Sequence, residues 1–397
     1  MALDLTIPAF PYQPDWSDTV RERLEFRTDA IPAMDGSEQT RKTRRTPRRR
    51  FEFALATDQA HRRTMANIAW ARGSRTVYLP LWTEGVQLQA NLASGTDVVP
   101  VDVAGREFGD GQVAIVIGPT PDVHQLVEVE AVEADHLQLT GVTARAFPAG
   151  SWVHPVRRAR LDAAFSTSAF TRSAVYGRQR WLVDEPNPYP AVAPATVYRG
   201  FPVLDTRPGY ARDPETSLDR MAYRVDDDVG LVADHDDVGI PLYRQVHDWN
   251  LVGRAQLNAW RSMVYALNGK RNSLWVPTWL DDLVLASSMS SGTTAMVVAW
   301  SGYAVRIAQA TNRRDLRVEL TNGTVLYRRI MASVDNGNGT ETLTLNAALG
   351  VAVTPAQVAQ VSFMALCRSD SDQFEIGWWR GDQADVTTAW RARQHDL

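Results

Sequence analysis

Two charged segments are the strongest candidates for chemistry in this sequence. The segment 41–50 places seven cations in ten residues, a density typical of surfaces that contact phosphate or acidic protein groups. The segment 226–237 holds six aspartates, and several carboxylates at close range can bind a hard cation such as calcium or pair with a basic surface. The cations are Arg41, Lys42, Arg44, Arg45, Arg48, Arg49 and Arg50, and the aspartates are Asp226, Asp227, Asp228, Asp234, Asp236 and Asp237.

Neither segment has the pattern of a specific ligand site. The aspartates lack the D-x-D-x-D-G order of a calcium-binding loop, which favours a solvated acidic loop or a charge-paired interface over a metal site. The basic segment leads directly into a predicted strand without interleaved aromatic residues, which favours a protein interface over direct DNA contact. We therefore predict two protein interfaces, the basic arm (41–50) and the acidic loop (226–237), with no metal and no other cofactor.

Enzyme motifs are missing from the rest of the sequence. There is no G-x-S-x-G nucleophile turn, H-E-x-x-H zinc motif, P-loop or G-x-G-x-x-G dinucleotide motif. The seven histidines are scattered and none has a supporting motif. Two carboxylates for glycoside cleavage need a separation of about 5 to 9.5 Å, which a sequence does not fix. The sequence predicts a protein that is not an enzyme.

Composition indicates a globular protein of two or three domains. The chain has 397 residues, of which 44% are hydrophobic and 22% charged, with a net charge of -4. A single cysteine, Cys367, excludes an intrachain disulfide and fits assembly in a reducing cytosol. The sequence contains no apolar stretch long enough to span a membrane. Thirteen tryptophans favour a protein that contacts copies of itself.

The chain also repeats its own landmarks after roughly 196 residues, which indicates an internal duplication. Several landmarks in register are more than chance similarity produces. The matched segments are Phe26-Arg27-Thr28-Asp29 with Tyr223-Arg224-Val225-Asp226, Phe51–Leu55 with His247–Leu251, and Pro80-Leu81-Trp82 with Pro277-Thr278-Trp279.

Each copy has the same predicted plan: strand, charged loop, strand, helix, inserted β-region and closing extended stretch. Strands are predicted at 21–29, 50–55, 218–226 and 243–251, and helices at 58–72 and 253–268, where apolar residues recur at helical spacing. The first repeat spans 1–185 with a β-domain inserted at 86–156. A proline-rich connector covers 186–208, and the second repeat spans 209–397 with an insertion at 284–364. The predicted class is mainly β with a few helices (α+β).

Two sets of residues resemble distal tail or minor tail proteins of long-tailed bacteriophages. The first set lies within 16–82 and includes R-T-D-x5-D-G-S-E-Q, R-x-x-P-R-R-R-F-E-F and L-P-L-W. The second set is Trp275-Val276-Pro277-Thr278-Trp279 with Gly269-Lys270-Arg271 before it. The resemblance implies two tail-tube-like β-sandwiches or barrels and a virion protein assembled in the bacterial host cytoplasm. It implies a ring at the tail tip, with the tail tube protein and baseplate hub or tail fibre proteins as partners.

The sequence leaves open the number of chains in the ring and two alternative functions. Two repeats per chain would fill six positions of a tail tube with three chains, so a homotrimer with pseudo-sixfold symmetry is preferred over a hexamer. We further expect the basic arm to cross to the acidic side of an adjacent half, within the chain or from the next subunit. One alternative is a carbohydrate-binding tail module that uses Trp152, Trp181 or Trp300. The other is an envelope-polymer hydrolase.

Overall fold

The protein is mainly β, as the sequence predicts. A computed structural model describes residues 4–33, 37–72, 75–171, 174–209, 215–220, 222–236, 241–307 and 313–393. Strands make up 47% of the described residues and helices 10%, and most of these strands belong to one large antiparallel sheet. No helix in the described ranges is long and apolar enough to cross a membrane.

The elements follow one another in three groups. In the first half they are β1 (Val20–Glu25), β2 (Thr28–Pro32), β3 (Glu38–Lys42), β4 (Arg48–Asp58), α1 (Gln59–Arg72), β5 (Val77–Pro80), a 3₁₀ turn (Trp82–Glu84), β6 (Val86–Gln87), β7 (Val98–Pro100), β8 (Val113–Ile117), β9 (His124–Val132), β10 (His136–Leu139), β11 (Trp152–Leu161), β12 (Ser168–Ala169) and β13 (Ala174–Val183). The connector contains β14 (Val197–Tyr198) and β15 (Phe201–Pro202). The second half contains β16 (Glu215–Asp219), β17 (Ala222–Val225), β18 (Ala233–Asp236), β19 (Leu242–Val252), α2 (Arg254–Leu267), β20 (Ser273–Pro277), β21 (Ala295–Ala299), α3 (Tyr303–Arg306), β22 (Asp315–Leu320), β23 (Val325–Asp335), β24 (Thr340–Leu345), a second 3₁₀ turn (Pro355–Gln357), β25 (Val358–Ser369), β26 (Gln373–Arg380) and β27 (Gln383–Ala392).

Five strands of each half lie in the same order. The first half has β1-β4-β13-β11-β5, and the second has β16-β19-β27-β25-β20, with every pair antiparallel. In each half, one further strand pairs with the start of the closing strand: β12 with β13, and β26 with β27. Each half also carries a short hairpin, β2–β3 or β17–β18, between its first two sheet strands.

Strand register allows residues of the two halves to be compared when Pro80 is aligned with Pro277. Pro80 lies opposite Val156, and Pro277 lies opposite Met364. Following the same ladders, Trp181 corresponds to Trp390, and these two residues lie opposite Phe51 and Gln245. Phe51 therefore matches Gln245 in the sheet, two residues from the His247 that the sequence landmarks paired with it.

The sheet strands and helices form where apolar residues recur with the period typical of a strand or of a helix. In β4, Phe51, Phe53 and Leu55 alternate with less buried residues, which is typical of a strand with one face on a core. In α2 the predicted stripe is buried against the sheet and the helix ends at Asn268, which adopts the left-handed conformation at φ 53°. The buried stripe consists of Leu257, Trp260, Val264 and Leu267. Both predicted long helices are confirmed to within a residue at each end.

Two predicted strands were too long, and one helix was not predicted. The segments 21–29 and 218–226 each divide into a sheet strand and the first strand of a hairpin, because the chain leaves the sheet at Phe26 and again after Asp219. The short helix α3 lies inside the second insertion, where one turn is too short to give a periodic signal.

The two inserted regions have hydrophobic cores of their own. One cluster of buried side chains comes from residues between Val86 and Val153, and another from residues between Leu283 and Phe363. A larger cluster draws on both halves, including β1, β4, α2, β26 and β27. The connector packs on the second half, where the indole of Trp275 donates a 2.8 Å hydrogen bond to the carbonyl of Tyr198.

Candidate assembly interface

The two halves join edge to edge through strands β1 and β26. Six residues of β1 pair antiparallel with β26, with Val20 opposite Trp378 and Leu24 opposite Phe374. The other edge of β1 pairs with β4, so the sheet runs without a break from one half into the other. Backbone hydrogen bonds of this kind satisfy groups that an exposed edge would leave unpaired.

A buried carboxylate lies at the centre of this junction. Glu22 of β1 is fully buried and accepts 2.7 Å hydrogen bonds from Arg49 Nε and from Arg261 Nη2. The indole Nε1 of Trp378 donates a third hydrogen bond, of 2.9 Å, to the same carboxylate. Arg49 belongs to β4, Arg261 to α2 and Trp378 to β26. The side chain of Glu22 therefore connects β1 to three other elements, which come from both halves.

The ion pairs continue outwards through two more glutamates. Arg49 Nη1 and Nη2 donate to both oxygens of Glu107 at 2.6 and 2.9 Å, and Arg261 also contacts Glu107. Glu84, in the 3₁₀ turn after β5, receives Arg254 Nη1 from α2 at 2.8 Å. The first inserted region and the second-half helix are thereby joined by charge-assisted hydrogen bonds.

Opposing effects determine the charge of Glu22. Burial raises the pKa of a carboxyl group, but the guanidinium groups of Arg261 and Arg49, with the hydrogen bond from Trp378, hold the pKa of Glu22 below its ordinary value. Glu22 is therefore ionised at neutral pH. Breaking one partner of a buried pair costs about 3–5 kcal/mol, because the remaining charge is left uncompensated.

Aromatic side chains surround the ionic cluster. The ring of Phe26 lies 5.6 Å from Tyr265 and 5.8 Å from Phe374, both edge to face. Trp260 lies 6.2 Å from Phe374 in a similar arrangement. Edge-to-face pairs contribute about 0.5–1.5 kcal/mol each beyond the area they bury. The junction combines strand pairing, buried ion pairs and packed aromatic rings.

The first hairpin, β2–β3, extends the junction over the second half. Glu38 of β3 accepts two hydrogen bonds from Arg368, at 2.6 and 2.7 Å. Lys42 Nζ donates to Asn268 Oδ1 at 2.6 Å, at the C-terminal end of α2. The backbone N–H of Thr28 donates to the carboxylate of Asp372 at 2.7 Å. Both strands of the hairpin therefore form hydrogen bonds with the second half.

Residues of the basic arm have three different environments. Lys42 reaches α2, and Arg44 donates to the carbonyl of Glu25 at 2.6 Å. Arg49 is buried in the ionic cluster. Arg50 contacts Glu25 and lies 2.9 Å from Asp162. The remaining members are exposed: Arg41, Arg45 and Arg48. The arm therefore contacts the second half of its own chain, but at the end of α2 rather than at the acidic loop.

The acidic loop forms the exposed second hairpin, β17–β18, and its tip. Asp234 pairs with Arg224 at 2.8 Å across the hairpin, and the carboxylates of Asp226 and Asp227 accept hydrogen bonds from backbone N–H groups of the turn. Asp228 lies in the same turn with a φ of 58°. Asp236 ends β18, and Asp237 lies outside the described residues. Within the described ranges, no group of three His, Cys, Asp or Glu side chains is placed to hold a metal ion.

Sequence reasoning singled out Arg49 but missed Glu22, Glu107, Glu84 and Arg261. A signal for Glu22 was present, because it occupies an inward position between Val20 and Leu24 in an alternating strand. A charge in an apolar register indicates a buried partner of opposite sign. The partners themselves are far away in sequence, so their identity required the fold.

The three tryptophans considered for sugar binding differ in exposure. Trp181 is buried against Phe10, so the expectation that it is exposed was wrong: its side chain belongs to the inward face of β13. Trp152 and Trp300 are about half exposed. Trp152 stacks on His154, whose ring burial lowers its pKa to about 4.

The sequence matches no protein-family model and no curated protein.

Proposed function

We propose that this chain is a structural virion protein without enzymatic activity that forms a ring at the distal end of a phage tail. The ring joins the tail tube to the baseplate or receptor-binding apparatus. The sequence resemblance supports the location, and the junction between the halves supports the ring. The observation that carries the proposal is the edge-to-edge pairing of β1 with β26 between two halves of equal strand order.

A unit that joins its neighbour through one sheet edge also has a second edge to satisfy. Repeating the same contact leads either to an open filament or to a closed ring, and closure leaves no strand edge exposed. Two halves per chain give six equivalent positions from three chains. A homotrimer with pseudo-sixfold symmetry is therefore preferred, and a hexamer is the alternative.

Mass photometry of the purified chain tests the ring. Three copies of the 44.2 kDa chain have a mass of about 133 kDa (3 × 44.2 kDa), and six copies about 265 kDa (6 × 44.2 kDa). A dominant species at the trimer mass supports the proposal. A chain that stays at monomer mass throughout the micromolar range contradicts it. In virions, an antibody against the chain should label the tail end opposite the head.

One surface feature favours the carbohydrate-binding alternative. The half-exposed ring of Trp152 lines a cleft of about 370 Å³ together with Trp82 and His154. Exposed indole faces beside a cleft are typical of sugar-stacking surfaces. A glycan array with the native chain and a Trp152→Ala variant distinguishes the two functions, because only a carbohydrate-binding module loses a signal.

A further inference from the structure

Strand β16 of the second half is the counterpart of β1, but it has an open edge. Both strands pair on one side with the long strand that precedes a helix, β1 with β4 and β16 with β19. On its other side β1 pairs with β26. Among the described strands, β19 is the only one that pairs with β16, so the other side of β16 has no strand partner there. A row of unpaired N–H and C=O groups is a ready site for strand addition.

The residues that β1 buries at the internal junction have exposed counterparts on the second half. Register places Leu218 at the position of Leu24, since Glu22 and Thr216 lie opposite the matched residues Phe51 and Gln245. Leu24 is 1% exposed, whereas Leu218 is 60% exposed. A leucine at this position is thus buried at the internal junction and exposed to solvent on the free edge of the second half.

A buried aromatic residue of the internal junction has an exposed counterpart as well. Tyr265, the twelfth residue of α2, is 8% exposed and packs against Phe26, which is 7% exposed. The twelfth residue of α1 is Trp70, which is 93% exposed. Trp70 is therefore exposed where its counterpart is buried at the internal junction.

The matching acceptor edge lies on the first half. Strand β12 pairs with β13 as β26 pairs with β27, and register places Phe165 at the position of Phe374. No strand in the described part of the chain pairs with the outer side of β12. Phe170, at the end of this segment, is 79% exposed. The outer edge of β12 is therefore open in the first half, whereas the corresponding edge of β26 in the second half is paired with β1.

Charge on the two open surfaces is complementary. In the internal hairpin β2–β3, Lys42 contacts Asn268 at the C-terminal end of α2, and Thr40 donates to the carbonyl of Arg271 in the following turn. The corresponding hairpin β17–β18 is acidic, and the C-terminal end of α1 carries Arg72 and is followed by Arg75. Basic groups at a helix C-terminus facing a carboxylate-rich hairpin favour association and discourage contact between two like hairpins.

We propose that β16 of one copy of this chain adds to the outer edge of the 165–170 segment in the next copy. Leu218 then lies opposite Phe165, and Trp70 is covered by the incoming chain as Tyr265 is covered at the internal junction. The acidic hairpin covers the end of α1. This junction rests on the proposed ring and supplies its contact between chains, so that three copies close with alternating internal and external junctions.

Charge insertion at the edge of β16 tests the surface. Leu218→Lys places an unpaired ammonium group opposite an aromatic ring, and it should raise the concentration needed for half-assembly by about tenfold or more. Val334→Lys is the matched control, since Val334 is 61% exposed in β23, far from the proposed junction. Both side chains face solvent in a single chain, so both variants should unfold at the same urea concentration as the native protein.

Cysteine cross-linking tests the register. In a Cys367→Ala background, the double variant Thr216→Cys, Thr167→Cys should give covalent dimers and trimers with a short bis-maleimide, because Thr216 and Thr167 correspond to the paired residues Glu22 and Ile376. The double variant Thr216→Cys, Val334→Cys should stay uncross-linked.

The outcomes separate the junction from the ring. An oligomer of native mass that neither cross-links at these positions nor weakens with Leu218→Lys overturns the junction and leaves the ring intact. Cross-linked products that extend beyond the trimer support the strand pairing and overturn a closed ring of three chains. Absence of both oligomer and cross-link overturns the two proposals together.

Discussion

Removing the charge of Glu22 should loosen the junction between the halves. Glu22→Gln keeps the size of the side chain but leaves Arg49 and Arg261 facing a neutral amide in a buried site. Glu107 still contacts both guanidinium groups, so the loss concerns one carboxylate of the cluster. The expected cost is about 3–5 kcal/mol, the range for breaking one partner of a buried pair. Glu375→Gln is the control, because Glu375 pairs with Arg23 at a half-exposed surface and its loss should cost about 0–1 kcal/mol.

Hydrogen exchange followed by mass spectrometry measures this effect locally. At about 1.4 kcal/mol per factor of ten, peptides that cover β1 and β26 should exchange about 100- to 4,000-fold faster in Glu22→Gln than in the native chain. Peptides that cover the second insertion should keep their native rates, because they belong to a separate core. Exchange in β1 and β26 that changes less than tenfold would refute the view that this carboxylate holds the halves together.

The same carboxylate gives the junction a pH dependence. The pKa of Glu22 is lower in the folded chain than in the unfolded chain, where it is about 4.3. Stability from this group is therefore complete above about pH 4.3 and is lost as pH falls through the lower folded value. Protection of β1 should decline with acid in the native chain, and it should decline less in Glu22→Gln.

Three further outcomes follow from burial and pairing. Trp260→Ala should lower the free energy of unfolding by about 3–5 kcal/mol in urea titrations, whereas the half-exposed Trp300→Ala should change it by less than about 0.5 kcal/mol. Burial lowers the pKa of His154 to about 4, so native stability should fall as pH drops from about 6.5 to 4, and His154→Gln should weaken that dependence in urea midpoints. Arg368→Ala removes both hydrogen bonds to Glu38, so amides of the hairpin β2–β3 should exchange at least tenfold faster, while those of β5 stay unchanged.

Local patterns in the sequence predicted most of the secondary structure. The helices at 59–72 and 254–267, and strands such as Leu242–Val252, follow from the spacing of apolar residues and from the turn residues between them. The points where the chain leaves the sheet were harder to predict. At Phe26 the departure depends on packing against Tyr265 and Phe374 rather than on a glycine or proline. The strand ends therefore needed tertiary contacts.

The junction itself could be predicted only in part. Seven cations at 41–50 indicated an interface. Lys42 does contact Asn268 of the second half, and Arg49 contacts Glu107 beside the boundary between the halves. Within the described part of one chain, Arg49 and Lys42 contact groups other than the aspartates of the acidic loop, because charge pattern gives the sign of a surface but not its neighbour. Glu22 pairs with Arg261 across 239 residues, a separation that no local pattern specifies.

Electron microscopy class averages of the purified chain test the central claim most directly. A closed ring of three chains with an internal and an external junction of the same geometry should give top views with six similar lobes around an open centre. Open filaments, or single particles with two lobes and no ring, would contradict the account.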